Sequence, residues 1–108
     1  MAQIELHEHD SGRIILAQKG DVLTISLEEN PTTGFQWADQ ESRGATLTFQ
    51  GSDWIQAGDG VGAGGIRILT YQVRDTGEAH IRLRLIQEWE PSQVSKRFDV
   101  IIRVGEHK

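Results

Sequence analysis

The sequence predicts an all-β fold of about seven or eight short strands, a sandwich or a barrel, and three observations carry that prediction. Apolar residues alternate with polar ones more regularly than they recur at helical spacing. The alternating segments are rich in Val, Ile, Thr and aromatics, which suit a pleated surface. Turn signals punctuate the chain at short intervals. Successive strands are expected to run antiparallel.

Three segments alternate cleanly. Leu23, Ile25 and Leu27 share one face while Thr24 and Ser26 share the other, so one side is buried and the other wet. Ala79, Ile81, Leu83 and Leu85 alternate with His80, Arg82 and Arg84 in the same way. Phe98, Val100, Ile102 and Val104 alternate with Asp99 and Arg103. Weaker candidates are Ile4–Leu6, Arg13–Ala17, Phe35–Ala38, Thr46–Gln50 and Ile66–Val73. Lys19-Gly20-Asp21, Arg43-Gly44 and Asp75-Thr76-Gly77-Glu78 mark turns between them. With no linker, repeat or low-complexity tract, residues 1–108 read as one domain.

Composition narrows the function classes. The 108 residues carry a formal charge of −5, which argues against a nucleic-acid partner, since phosphate binding needs a clustered basic face. Arg82, Arg84 and Arg97 are basic, but acids are interspersed among the cations. No apolar run is long enough to span a membrane. The run Ile14–Ala17 is too short for a secretory signal core. An exported precursor would have lost its signal already; a periplasmic or secreted location is then expected, and a cytoplasmic one otherwise. Cysteine is absent, so there is no disulfide framework, thiol nucleophile or thiolate metal site. No cofactor is expected, and the chain is expected to be a monomer.

Strand order says something about function. If the strands from Val22 onward alternate in direction, three connections fall at one end: Asn30–Gly34, Gln56–Gly65 and Gln87–Gln93. They are longer and richer in Gly, Pro and Trp than the tight charged turns at the other end. Long loops gathered at one end of a rigid scaffold usually present a binding surface.

In the first loop, Asn30-Pro31 starts a turn and Gly34 is free to take positive φ before Phe35 resumes a strand. Thr32 and Thr33 then sit on a pre-ordered tip; the plainer alternative is a simple inter-strand turn. In the second loop, Gly60, Gly62 and Gly65 formally match a dinucleotide fingerprint. They open the β-rich run Ile66–Leu69 rather than a helix, so the match is weak. Gly62, Ala63, Gly64 and Gly65 offer backbone with no large side chain to obstruct a partner, or simply a flexible excursion. In the third loop Trp89 lies between Glu88 and Glu90-Pro91. It reads as an exposed interface residue, or as a ring folded back over the sandwich rim. Trp37 and Trp54 are assigned to the core.

Elsewhere, His7-Glu8-His9-Asp10 has metal-ligand chemistry but no evident distant partner, so a solvated polar turn is the better reading. Ser, His and Asp occur without triad spacing or a nucleophile elbow, so no catalytic set is legible.

With these loops in view, the sequence resembles the chagasin family of cysteine-peptidase inhibitors from about Gly20 to Val104. The likeness rests on Asn30-Pro31-Thr32-Thr33-Gly34-Phe35-Gln36-Trp37, on Gly62-Ala63-Gly64-Gly65, and on Trp89 followed by Ser95-Lys96-Arg97-Phe98. The resemblance implies an immunoglobulin-like antiparallel β-sandwich whose three loops wedge reversibly and non-covalently into the cleft of a papain-like cysteine peptidase. It implies Thr32 and Thr33 nearest the catalytic cysteine, Gly62–Gly65 along the non-prime side and Trp89 on the opposite wall. The family's Arg-Pro before the tryptophan is replaced by Gln87-Glu88, which removes a cation and a conformational lock. The competing class is a non-inhibitory adhesion or carbohydrate-binding module that uses the same loop end, with Trp89 stacking on a sugar.

Overall fold

In the computed structural model, residues 2–39, 46–56 and 64–105 are described. They form eight strands: β1 (Gln3–His7), β2 (Ile14–Gln18), β3 (Val22–Glu29), β4 (Phe35–Asp39), β5 (Leu47–Gln56), β6 (Gly65–Val73), β7 (Gly77–Gln87) and β8 (Glu90–Gly105). Two four-stranded sheets result, with orders β1-β3-β6-β5 and β2-β8-β7-β4.

The alternation foreseen in the sequence faces inward as expected. Leu23, Ile25 and Leu27 of β3 lie opposite Tyr71, Leu69 and Arg67 of β6 in an antiparallel ladder. From the other sheet, Ile81, Leu83 and Leu85 meet Phe98, Val100, Ile102 and Val104 in the same core. Burying each such side chain contributes about 1.5–3 kcal/mol, so this stripe is the main source of stability.

Direction differs from expectation at two edges. β1 joins β3 in parallel, with Gln3 opposite Val22, and β2 joins β8 in parallel, with Ile14 opposite Ile101. Both sheets are therefore mixed. The cause is the short turn through Glu8–Asp10, a single 3-10 turn that carries the chain from an edge of one sheet to an edge of the other. Asp10 closes that turn: its buried carboxylate accepts the His7 N–H at 2.8 Å and the Arg13 guanidinium at 2.6 Å. The His7–Asp10 segment thus serves as a structural switch between sheets.

The third connection is shorter than expected and the strands beside it longer. β7 and β8 pair as far as Gln87 and Glu90, leaving only Glu88 and Trp89 in the turn. Pro91, which lacks an N–H, falls where the register shifts between the Ile86–Val94 and Gln87–Glu90 pairs, a place where a strand tolerates proline. The seeming loop from Gln87 to Gln93 is the tip of a long hairpin. Trp54 also departs from expectation. It lies on β5, is only partly buried and stays outside the apolar core that contains Trp37.

Candidate functional site

The strand pairings bring three connections to one pole. Glu29 at the end of β3 pairs with Gly65, Gly65 also pairs with Gln56, and Phe35 pairs with Gln87. The strand ends that flank segments 30–34, 57–64 and 88–89 therefore lie at the same end of the sandwich.

The first segment is a pre-formed tip. Pro31–Thr33 make one 3-10 turn with Asn30 as its N-cap. The Asn30 Oδ1 accepts the Thr32 N–H at 3.0 Å and the Thr32 hydroxyl at 2.7 Å. The Asn30 carbonyl accepts the Thr33 hydroxyl at 2.8 Å. Both threonine hydroxyls thus donate within the loop, and Thr33 Oγ1 also accepts the Phe35 N–H at 3.3 Å, so the backbone is held by its own side chains. Gly34 ends the turn at φ 80°, a left-handed conformation that favours glycine. Pro31, Thr32 and Thr33 are exposed, whereas Phe35 tucks against the core.

The third segment clasps the first. The Trp89 indole lies directly over Gly34, so closely that a Cβ there would collide with its six-membered ring. Gln87 Nε2 reaches across to the Thr33 carbonyl at 3.2 Å. Trp89 remains 69% exposed: one part of the ring is braced and the rest faces solvent. The replacement of Arg-Pro by Gln87-Glu88 therefore does not leave a slack loop. A two-residue turn, the Gln87–Glu90 pair and the Gln87 side chain restrain it instead.

Of the second segment, Gly62 and Ala63 lie outside the described residues. Gly64 has open space where a Cβ would stand, but Gly65 is covered by the Trp54 ring and the Ile55 carbonyl. The four positions 62–65 are thus not equivalent: Gly65 is needed for close packing beneath the loop. Trp54 in turn donates its indole N–H to the Glu29 carbonyl at 3.1 Å.

The site's sequence-predicted members that are described, Asn30 to Phe35, Gly64, Gly65 and Trp89, all belong to this pole. Sequence reasoning missed what lies beneath them. Glu29 is 3% exposed and accepts the Trp37 N–H at 2.8 Å and the Arg67 guanidinium at 2.6 Å. The signal was available: Glu29 is in phase with Leu23, Ile25 and Leu27, an acid at an inward position. Around the tip, Glu28, Glu88 and Glu90 are exposed and give the rim a negative character. Among the described residues no group of three or more His, Asp or Glu side chains converges as a metal set.

This arrangement can cover a cleft but has no legible chemistry of its own. The chain is similar to Chagasin of Trypanosoma cruzi, 28% identical over 101 residues covering 88% of this chain and 92% of the relative. The cysteine protease inhibitor EhICP2 of Entamoeba histolytica has the same fold, with TM-score 0.84 at 19% identity over 97% of each chain. PbICP-C, whose structure is known in complex with falcipain-2, shares the fold with TM-score 0.63 at 14% identity, over 99% of this chain and 100% of that one. The profile of the Chagasin family peptidase inhibitor I42 matches residues 17–102, so this chain belongs to the chagasin family of peptidase inhibitors.

Proposed function

We propose that residues 1–108 act as one inhibitor domain that reversibly and non-covalently occludes the active-site cleft of a papain-like cysteine peptidase. Thr32 and Thr33 form the tip over the catalytic cysteine, Gly62 to Gly65 lie along one side of the cleft and Trp89 packs on the other. The observation that carries the reading is the clasp of Trp89 and Gln87 on the 30–34 turn, which makes two loops one stiff edge.

The chemistry follows from that edge. A papain-like site holds a thiolate beside an imidazolium in an open groove and needs an extended peptide with an aligned scissile carbonyl. The tip is a 3-10 turn whose Asn30 and Pro31 carbonyls already accept the Thr33 and Gly34 N–H groups. It fills the groove without presenting a cleavable extended strand. The chain has no cysteine and so can form no disulfide with the enzyme, and occlusion by the tip needs no covalent bond. Because the 30–34 and 88–89 turns are held beforehand, an interface of roughly 1,600 Å² suffices for tight binding.

Titration of a panel of papain-like peptidases with the purified protein tests the reading. Dose-dependent loss of activity that recovers on dilution is expected. Full activity across the panel, with retention on a glycan array, would instead favour the adhesion or carbohydrate-binding module.

A further inference from the structure

The space between the sheets changes character just below the loops. Over most of its length it is filled by apolar side chains such as Ile25, Leu69 and Leu83. At the level of the loop roots the inward positions are instead Glu29 of β3 and Arg67 of β6, flanked by the half-buried Trp54 and the exposed Ser52 of β5. Glu29 Oε2 accepts Arg67 Nη2 at 2.6 Å and Nε at 3.1 Å, while Oε1 accepts the Trp37 N–H at 2.8 Å. The Glu29 carbonyl takes the Trp54 indole N–H, and Arg67 Nη1 donates to Ser52 Oγ at 3.1 Å. One residue and its partner thereby touch four strands. β3 and β4 are the stems of the 30–34 tip, and β5 and β6 are the stems of the 57–64 segment.

Such a pair is a poor way to gain stability. Removing two charges from water offsets most of their attraction, and apolar residues of similar volume commonly serve a fold as well or better. What an apolar pair lacks is direction. A guanidinium donating two bonds to one carboxylate oxygen, with the other oxygen held from the opposite sheet, fixes the stems in angle as well as in distance.

We infer that Glu29 and Arg67 are positioning residues: they set the stems of the first loop in a fixed relation to the stems of the second, so that the edge meets its peptidase on a pre-assembled base. This rests on the reading of the three loops as the inhibitory surface. The Glu29 side chain is too deeply buried to reach a partner and acts only through the loops it steadies.

The test is the double variant Glu29→Leu/Arg67→Met, with Glu29→Gln alongside, each compared with wild type by thermal unfolding and by titration of papain-like peptidases. The expected result is a double variant at least as heat-resistant as wild type whose inhibition constant is roughly tenfold higher, because loop ordering is now left to the binding step. A folded double variant that inhibits as tightly as wild type overturns the inference. Should the double variant fail to fold, Glu29→Gln decides, since it keeps the shape and removes the charge: a several-fold rise supports the role and an unchanged constant refutes it. Wild-type protein that inhibits no member of the panel would defeat the inhibitory reading and this inference together. Equal inhibition by wild type and variants defeats only the role of the pair.

Discussion

Strand β3 is bracketed by two buried carboxylates, Asp21 just before it and Glu29 at its end, and they hold different things. Among the described residues, the Asp21 carboxylate accepts the backbone N–H groups of Ala2 and Gln18, both at 2.9 Å. The Asp21 carbonyl takes the Val73 N–H at 2.8 Å, so the donors to this residue come from just before β1, from the end of β2 and from the end of β6. Glu29 reaches a guanidinium in its own sheet and a backbone N–H in the other. At the turn pole, peptide N–H groups from both sheets satisfy the carboxylate. At the loop pole, a guanidinium joins the tie between the two layers. On the proposed reading, the difference adds a side-chain brace beneath the loops to the Trp89–Gln87 clasp above, and leaves recognition to the exposed tips.

The largest test of that division is Trp89→Ala. Its ring is mostly exposed, so inhibition should weaken by about 2 kcal/mol or more, roughly 30-fold, with little change in thermal midpoint. A large loss of stability with unchanged inhibition constants would move Trp89 from recognition to support. The next test sets Gly65→Ala against Gly64→Ala. The first forces a methyl into Trp54 and the Ile55 carbonyl and should cost about 1–3 kcal/mol in denaturant unfolding. The second enters open space and should change stability by less than about 0.5 kcal/mol. Equal costs would contradict the packing beneath the second loop.

How much of this was legible in the sequence depends on parity. Strand alternation placed Leu23, Ile81 and Ile102 inside without help, because one face of each segment is continuously apolar. The parallel edge pairings were not legible, since alternation reports which face is buried and not which neighbour a strand joins. β5 hid part of its length for a related reason: the register shift between Phe49 and Gly51 changes which residues face inward, so its second half reads as loop. In the third connection Glu88, Trp89, Glu90 and Pro91 all resemble loop residues. Glu88 and Trp89 are indeed the turn, but Glu90 opens β8 by pairing with Gln87, and Pro91 lies in the bulge between that pair and Ile86–Val94. The tip residues Asn30 to Gly34 were readable because the turn is built from local bonds, whereas Arg67 serves Glu29 only across 38 positions of sequence.

Smaller effects should mark the interior and the far side of the comparison. Tyr71 is fully buried and donates its hydroxyl to Asp39 at 2.8 Å. Tyr71→Phe should cost about 1 kcal/mol in denaturant unfolding and leave inhibition constants unchanged. A weakened inhibitor would show that the loops depend on more of the interior than the brace at Glu29. Smallest is Asp10→Asn at the β1–β2 switch. The His7 N–H, more than the neighbouring Arg13, holds the Asp10 carboxyl below the ordinary carboxylate range, against the opposing pull of burial. A group whose folded value is lowered contributes stability above its unfolded value near about pH 4, and loses it as the pH falls through the folded value. Wild type should therefore exceed Asp10→Asn by about 0.5–1 kcal/mol near neutrality, and the two unfolding midpoints should converge in acid. A gap that persists in strong acid would assign the effect to packing instead of charge.

The long hairpin also decides how the molecule can be tethered. β8 runs sixteen residues from Glu90, beside the tip, to Gly105, which pairs with Gln18 next to Asp21. At roughly 3.3 Å per residue that is close to the 50 Å length of the whole protein. Ala2 is bonded to Asp21 at that same remote pole. A membrane anchor, a carrier or a second inhibitor fused before Ala2 or beyond Gly105 would hang from the rear and leave the wedge pointing outward, free to engage.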